Sequence, residues 1–186
     1  EPFMNPDIFG MLDDSLALGF RVTVLTNAMR PMQRAKSKLL QLNQELRKAL
    51  ILRVSLDHYT AARHDEERGS HAFRSALEGL VWATQNGFQA TVAGRTVWGE
   101  SPDSARAGYA RLFAKHAIPI DAKDPAQLVL FPEMHSGTEV PEISTRCWKT
   151  LGKAPSDVMC SSSRMVIRRK GSHRAAVVSC TLLPYD

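Results

Sequence analysis

The stretch Leu50–Gly69, LILRVSLDHYTAARHDEERG, carries the densest set of functional groups in the chain: Ser55, Asp57, His58, Arg63, His64, Asp65, Glu66, Glu67 and Arg68. Carboxylates, imidazoles and guanidiniums together can pair charge, move protons and hold anions. The stretch opens on apolar Leu50-Ile51-Leu52, interrupted by Arg53 and resumed by Val54, which is the pattern of a buried strand. Polar groups at the carboxyl end of such a strand are where α/β proteins place ligands. Composition alone fits equally a solvated connection followed by an acidic helix entry.

Other familiar chemistries lack their framing. The histidines and acids do not fall at metalloprotease spacing, no glycine-rich phosphate loop occurs, and no G-x-S-x-G elbow frames a nucleophilic serine. His116 and His173 read as surface residues. Trp82, Trp98 and Trp148 read as packing anchors, because nothing spaces them along one face as base stackers would be.

The elements that must position these groups follow from periodicity and punctuation. Asn5, Pro6 and Asp7 predict a helix start, with Ile8, Met11, Leu12 and Leu16 on one face and Gly19 at its end. Arg21–Thr26 predicts a strand ending at Asn27, and Leu39, Leu42, Leu46 and Ala49 predict a helix over 32–49. After the strand at 50–56 and a polar loop, Ser70 is expected to cap a helix carrying Phe73, Ala76, Leu77 and Leu80 to Gly87. Phe88–Val92 predicts a strand, with Ala93-Gly94 as a close approach or bulge. Ser101-Pro102-Asp103 predicts a helix running to about His116, and Gln127–Phe131 a last strand stopped by Pro132. This βα alternation predicts a parallel sheet, doubly wound or barrel.

After Pro141 the pattern changes. A short helix over 144–151 contains Cys147 and Trp148, and strands over 164–168 and 175–179 flank Lys170-Gly171-Ser172 as a hairpin. Cys160 precedes the first of these strands and Cys180 ends the second, so a hairpin would bring both sulfurs to one end. Three cysteines, an odd number, argue against a disulfide framework and for a reducing compartment. In 186 residues, 44% of them hydrophobic, no apolar run approaches the roughly 20 residues of a membrane span, and a cytoplasmic location is expected. The net charge of +5 permits an anionic partner without demanding one. The run Arg168-Arg169-Lys170 reads as solvated surface.

Four motifs resemble one family in order and spacing. Glu1-Pro2-Phe3 is similar to the tail of the G-G-E-P motif of radical S-adenosylmethionine (radical SAM) enzymes. Thr26-Asn27 after a strand, Ser55-Leu56-Asp57 after the next, and Arg68-Gly69 before Phe73 resemble the same family. The resemblance covers roughly residues 1–135. It implies an α/β fold, the last four strands of a partial (βα)6 TIM-like barrel over residues 1–140, followed by a small β-hairpin appendage over 141–186. It further implies that a 4Fe–4S cluster reductively cleaves S-adenosylmethionine to a 5′-deoxyadenosyl radical for hydrogen abstraction. Glu1, Asn27, Ser55, Asp57 and Arg68 are then expected at the S-adenosylmethionine site. Glu1 would lie toward the methionyl amino group, Ser55 near the ribose and Arg68 at the methionyl carboxylate. The adenine is expected near Leu130 and Phe131. A flavodoxin or ferredoxin would supply electrons, and neither a membrane nor a nucleic acid is expected as partner.

The sequence departs from the family in three places. The glycines of G-G-E are missing, the G-x-I-x-G-x-x-E pattern is not reproduced near Val92–Arg95, and the C-x-x-x-C-x-x-C loop that holds the cluster through thiolates is absent. That loop would belong upstream of Glu1, and the chain is expected to be a fragment cut at both ends. Cys160-x10-Gly171-x8-Cys180 is similar to the opening of SPASM or twitch regions, which implies Cys160 and Cys180 as ligands of an auxiliary iron–sulfur cluster and a peptide or protein substrate. Two buried hairpin thiols are the competing reading. The alternative function is a non-catalytic α/β module whose basic hairpin, Arg164–Arg174, binds RNA or an acidic protein.

Overall fold

The computed structural model describes residues 1–45, 49–132, 145–152, 154–157, 161 and 164–178. The chain divides into two compact units, Glu1–Met134 and His135–Asp186.

The first unit is built on four parallel strands, β1 (Val22–Thr26), β2 (Leu50–Ser55), β3 (Gln89–Thr96) and β4 (Leu128–Pro132), lying side by side in sequence order. Among the described residues six helices accompany them: α1 (Ile8–Ala17), α2 (Arg30–Arg34), α3 (Lys36–Glu45), α4 (Ala61–Arg68), α5 (Ala72–Gln85) and α6 (Pro102–Lys115). Successive strand residues point to opposite faces of a sheet. In β2 the alternation is strict: Leu50, Leu52 and Val54 are buried, while Ile51, Arg53 and Ser55 are half-buried. The buried set joins Val24, Val92 and Leu128 with Leu12, Met32, Leu39, Leu80 and Phe113 from the helices in one continuous core. The helices therefore pack on one face of the sheet. The other face is open, with Leu25 52% and Phe131 49% exposed. Among the described residues the sheet does not close into a barrel.

Several helix boundaries differ from those the sequence predicts, each for a local reason. The first helix starts at Ile8, because the Asn5 carboxamide oxygen accepts from the Asp7 amide (3.0 Å) and turns the chain before the helix begins. The helix expected over 32–49 is broken at Ala35, whose amide bonds back to Met32 in a tight turn (2.9 Å). The polar loop expected after β2 contains α4, whose buried residue is His64. Ser70 does not cap α5. Asp65 does so from α4, its two carboxylate oxygens accepting from the Phe73 amide (2.7 Å) and the His71 amide (2.9 Å). Ser101 caps α6 as its sequence signature predicts, accepting from the Ser104 amide at 3.2 Å.

Gly94 lies inside β3 and marks a close approach rather than a bulge. A Cβ there would stand 2.4 Å from the Tyr109 hydroxyl, which crosses under the strands to donate to the Leu56 carbonyl at 2.6 Å.

The second unit contains α7 (Thr145–Leu151), which carries half-buried Cys147 and Trp148, and an antiparallel pair, β5 (Met165–Ile167) and β6 (Ala176–Val178). Val166 faces Val177 across this pair, each 68% exposed. Cys160 and Cys180 lie outside the described residues.

Candidate functional site

The carboxyl ends of all four parallel strands lie along one edge of the sheet, and most of the residues singled out by type and spacing gather there. At β1, a short 3-10 turn over Pro2–Met4 directs the Glu1 side chain to the strand end. One Glu1 oxygen takes the Asn27 amide at 2.8 Å, and the Thr26 hydroxyl lies 2.9 and 3.0 Å from the two oxygens. Thr26 is buried, and its hydroxyl also accepts from the Ala28 amide at 3.0 Å. Asn27 turns its own carboxamide oxygen to the Met29 amide (3.0 Å), at the start of α2. Ala28 holds a left-handed conformation (φ 55°) against Gly79 of α5, where a Cβ would meet the Ala28 carbonyl oxygen at 2.2 Å. This corner is thus fixed by hydrogen bonds on one side and backbone contact on the other.

At β2 the strand end divides its residues by face. Ser55 continues the open face of Ile51 and Arg53, and its hydroxyl has no hydrogen-bond partner among the described residues. Asp57 is buried and spends every polar group it has. Its amide donates to His64 Nδ1 (3.0 Å), its carbonyl accepts from the Arg95 amide (2.9 Å), and its carboxylate receives Arg68 through Nε (2.6 Å) and Nη2 (2.9 Å). The pairing is bidentate, the geometry that suits a guanidinium best. It holds the Arg68 proton more firmly than usual, opposing the effect of burial. Arg68 Nη1 is left without a partner among the described residues, on a side chain 39% exposed.

A second network adjoins the first. His58 is buried, and its Nδ1 accepts from the Thr60 amide at 2.9 Å. Its Nε2 therefore carries the proton and donates to Glu100 Oε1 at 2.7 Å. The other Glu100 oxygen accepts from the Tyr59 hydroxyl at 3.0 Å, and Arg63 Nη1 lies 3.4 Å from Oε1. Trp98 meets the His58 ring edge-on, 4.9 Å between centroids, and donates its indole N–H to Glu66 at 3.2 Å. Burial lowers the pKa of His58 below the ordinary 6.5, against the pull of Glu100, and burial lowers that of His64 as well. Each Nδ1 accepts a backbone N–H, so both rings are held in a neutral tautomer, and the network contains two carboxylates, Glu100 and Glu66, with Arg63 beside Glu100. It ties the loop after β2 to the loop after β3. Nearby, Arg95 pairs with Glu67.

Residues far apart in the chain thus meet in two clusters. Glu1 joins Asn27, Asp57 joins Arg68, and Ser55 ends β2 in the position opposite Asn27, since Thr26 pairs with Val54. Asp57 faces Arg68 rather than open space, so any contact it makes with a ligand runs through Arg68. Leu130 is half-buried, whereas Phe131 is exposed on the open face. Tyr59 and Glu100 escape the sequence as site residues, and Thr26 is marked there only as the neighbour of Asn27. Glu100 lies 42 residues from His58, and only its place soon after a strand, in Trp98-Gly99-Glu100, hints at a role. Among the described residues no group of three or more His, Cys, Asp or Glu could hold a metal ion, and no helix is long and apolar enough to cross a membrane. No protein-family model and no curated protein matches the chain.

Proposed function

We propose that the carboxyl-terminal edge of this sheet is one wall of an S-adenosylmethionine site and that the chain is part of a radical SAM enzyme. The observation that carries the reading is the convergence of Glu1, Asn27, Ser55 and the Asp57–Arg68 pair on adjacent strand ends. These are the positions the resemblance assigns to the cofactor. The topology supports it too. A doubly wound sheet reverses its strand order and carries helices on both faces, whereas this order runs without reversal and the helices keep to one side, as in a segment of a (βα)6 barrel.

The edge suits the cofactor's chemistry. Arg68, oriented by Asp57, offers Nη1 to a carboxylate; Ser55 offers an uncommitted hydroxyl to a ribose; Glu1 retains accepting capacity for an ammonium. In a radical SAM enzyme a reduced 4Fe–4S cluster would supply the electron that splits S-adenosylmethionine for hydrogen abstraction. The described residues do not fit such a cluster, and iron ligation is not assigned to any of them. Cys160 and Cys180 stay proposals as auxiliary-cluster ligands, with a peptide or protein substrate, a flavodoxin- or ferredoxin-type electron donor and a cytoplasmic location.

Equilibrium dialysis against S-adenosylmethionine tests the wall. Arg68→Ala should weaken binding by about tenfold, the worth of one charge-assisted pairing, and Ser55→Ala by less. Unchanged affinity in both variants would remove this edge from the cofactor site.

A second reading rests on the hairpin, where Arg168, Arg169, Lys170 and Arg174 are exposed in the connection between the strands that carry exposed Val166 and Val177. Such a surface suits RNA, and binding that fell steeply with salt would support it. Absence of salt-dependent RNA binding would dismiss it.

A further inference from the structure

The open face of the sheet holds a charge that nothing described so far uses. Arg53 stands in the middle of β2 on this face, one pleat from Ser55, where a strand buried by its neighbours would ordinarily carry an aliphatic residue. Its Nε donates to Thr91 Oγ1 on β3 at 3.1 Å. None of the described carboxylates pairs with it, although Arg63, Arg68, Arg74 and Arg95 each have one. With Nε fixed on Thr91, the Nη1–Nη2 edge is the one left for a ligand. Arg53 also lines a cleft of about 470 Å³ that runs toward the amino-terminal end of the sheet, away from the Asp57–Arg68 pair. Arg21 adds a second positive charge to its wall; Ile51, Phe88, Pro119 and Ile120 supply apolar surface, and Thr84, Gln89, Thr91 and Gln127 polar surface. Nearby acids are already engaged: Asp124 accepts from the Gln127 carboxamide at 2.8 Å, which holds that side chain toward its own loop.

We propose that this cleft binds a small amphiphilic carboxylate. The Nη1–Nη2 edge of Arg53 receives the carboxylate in the planar, two-point manner that a guanidinium favours, and the apolar tail lies against Ile51, Phe88 and Ile120. A carboxylate with an apolar tail suits the cleft better than a bare phosphate, because its two oxygens match the parallel donors of the Nη1–Nη2 edge and its tail uses the apolar part of the wall, for which a phosphate has no counterpart. The cleft extends from Arg53, one pleat from Ser55, toward the end of the sheet opposite the proposed cofactor wall, and the proposal does not rest on that reading.

The test is a two-dimensional amide NMR titration of the 186-residue chain with sodium hexanoate, with hexylamine and with inorganic phosphate, at constant ionic strength. Hexanoate should give saturable shifts at Ile51, Arg53 and Thr91, hexylamine none, and phosphate binding should be weaker by about tenfold or more. Arg53→Gln should weaken hexanoate binding about tenfold, and Arg53→Lys, which keeps the charge but loses the fork, by about threefold, each with an otherwise native spectrum. Saturating S-adenosylmethionine should leave the hexanoate affinity unchanged. Absence of saturable shifts, equal binding of hexylamine, tighter binding of phosphate, competition by S-adenosylmethionine, or full affinity in both Arg53 variants would each overturn the proposal.

Discussion

Arg68 does two things at once, and the two can be separated. Its guanidinium neutralises an Asp57 side chain only 3% exposed, while part of its own surface stays in solvent. Removing one partner of a buried pair strands the other, at about 3–5 kcal/mol for full burial and less where one partner is exposed, so Arg68→Ala should cost about 2–3 kcal/mol in urea denaturation. The double variant Asp57→Asn/Arg68→Met, which strands no charge, should recover most of that loss. If it is no more stable than Arg68→Ala, the pair is not what the single variant breaks. The two neutral histidines give a pH dependence of definite sign. The folded pKa of His58 and of His64 lies below the unfolded 6.5, so the unfolded chain binds more protons and stability falls as pH drops below about 6.5. The structural reason is that each Nδ1 accepts a backbone N–H, from Thr60 and from Asp57, and a protonated ring cannot. His58→Asn and His64→Asn put an oxygen near the Nδ1 position, and together should flatten the melting temperature between pH 5 and 6.5. An equally steep profile in the double variant would assign the dependence to other groups.

At the level of elements, what could be read from the sequence was what periodicity writes. The strands at 22–26, 50–55 and 128–132 and the helices α5 and α6 follow from apolar spacing and from the Ser101-Pro102 start. Helix α4 was not legible, because its buried residue is a histidine and no apolar stripe marks it. The cap of α5 was missed for a related reason: Asp65 reaches it across the Gly69 turn from another helix, and Ser70, the residue type that normally caps, stands at the expected spot without doing so. Asp65→Ala should therefore lower the melting temperature clearly more than Ser70→Ala, and the reverse order would refute this assignment. The Gly79–Ala28 contact also has a consequence. The atom nearest to a Cβ at Gly79 is the backbone carbonyl oxygen of Ala28, which cannot swing aside, so Gly79→Ala should cost about 1–3 kcal/mol despite the better helix propensity of alanine. A neutral or stabilising result would mean that α5 can lift from the β1 corner freely.

Within the first unit, sequential strand order and one-sided helices leave a sheet with one face packed by helices and one face bare of them among the described residues, and the functional proposals for this unit divide between the sheet's two ends. The strand-end residues were legible because each follows directly on an apolar run, so Asn27, Ser55 and Asp57 could be found without knowing the fold. Glu100 and the bonds of Thr26 were not, since such partners are set by which strands lie side by side rather than by local spacing. Arg53 stood out in the sequence only as an interruption of an apolar run, and the register with Thr91 is what turns it into an oriented guanidinium. The proposed place of the carboxyl-terminal edge in a radical SAM active site has a chemical readout. Its most direct test is the formation of 5′-deoxyadenosine from S-adenosylmethionine by the reading frame that contains this chain, reconstituted anaerobically with iron and sulfide and reduced with dithionite. Reductant-dependent 5′-deoxyadenosine is expected, falling with Arg68→Ala at subsaturating cofactor. Iron-loaded protein that yields none would contradict it.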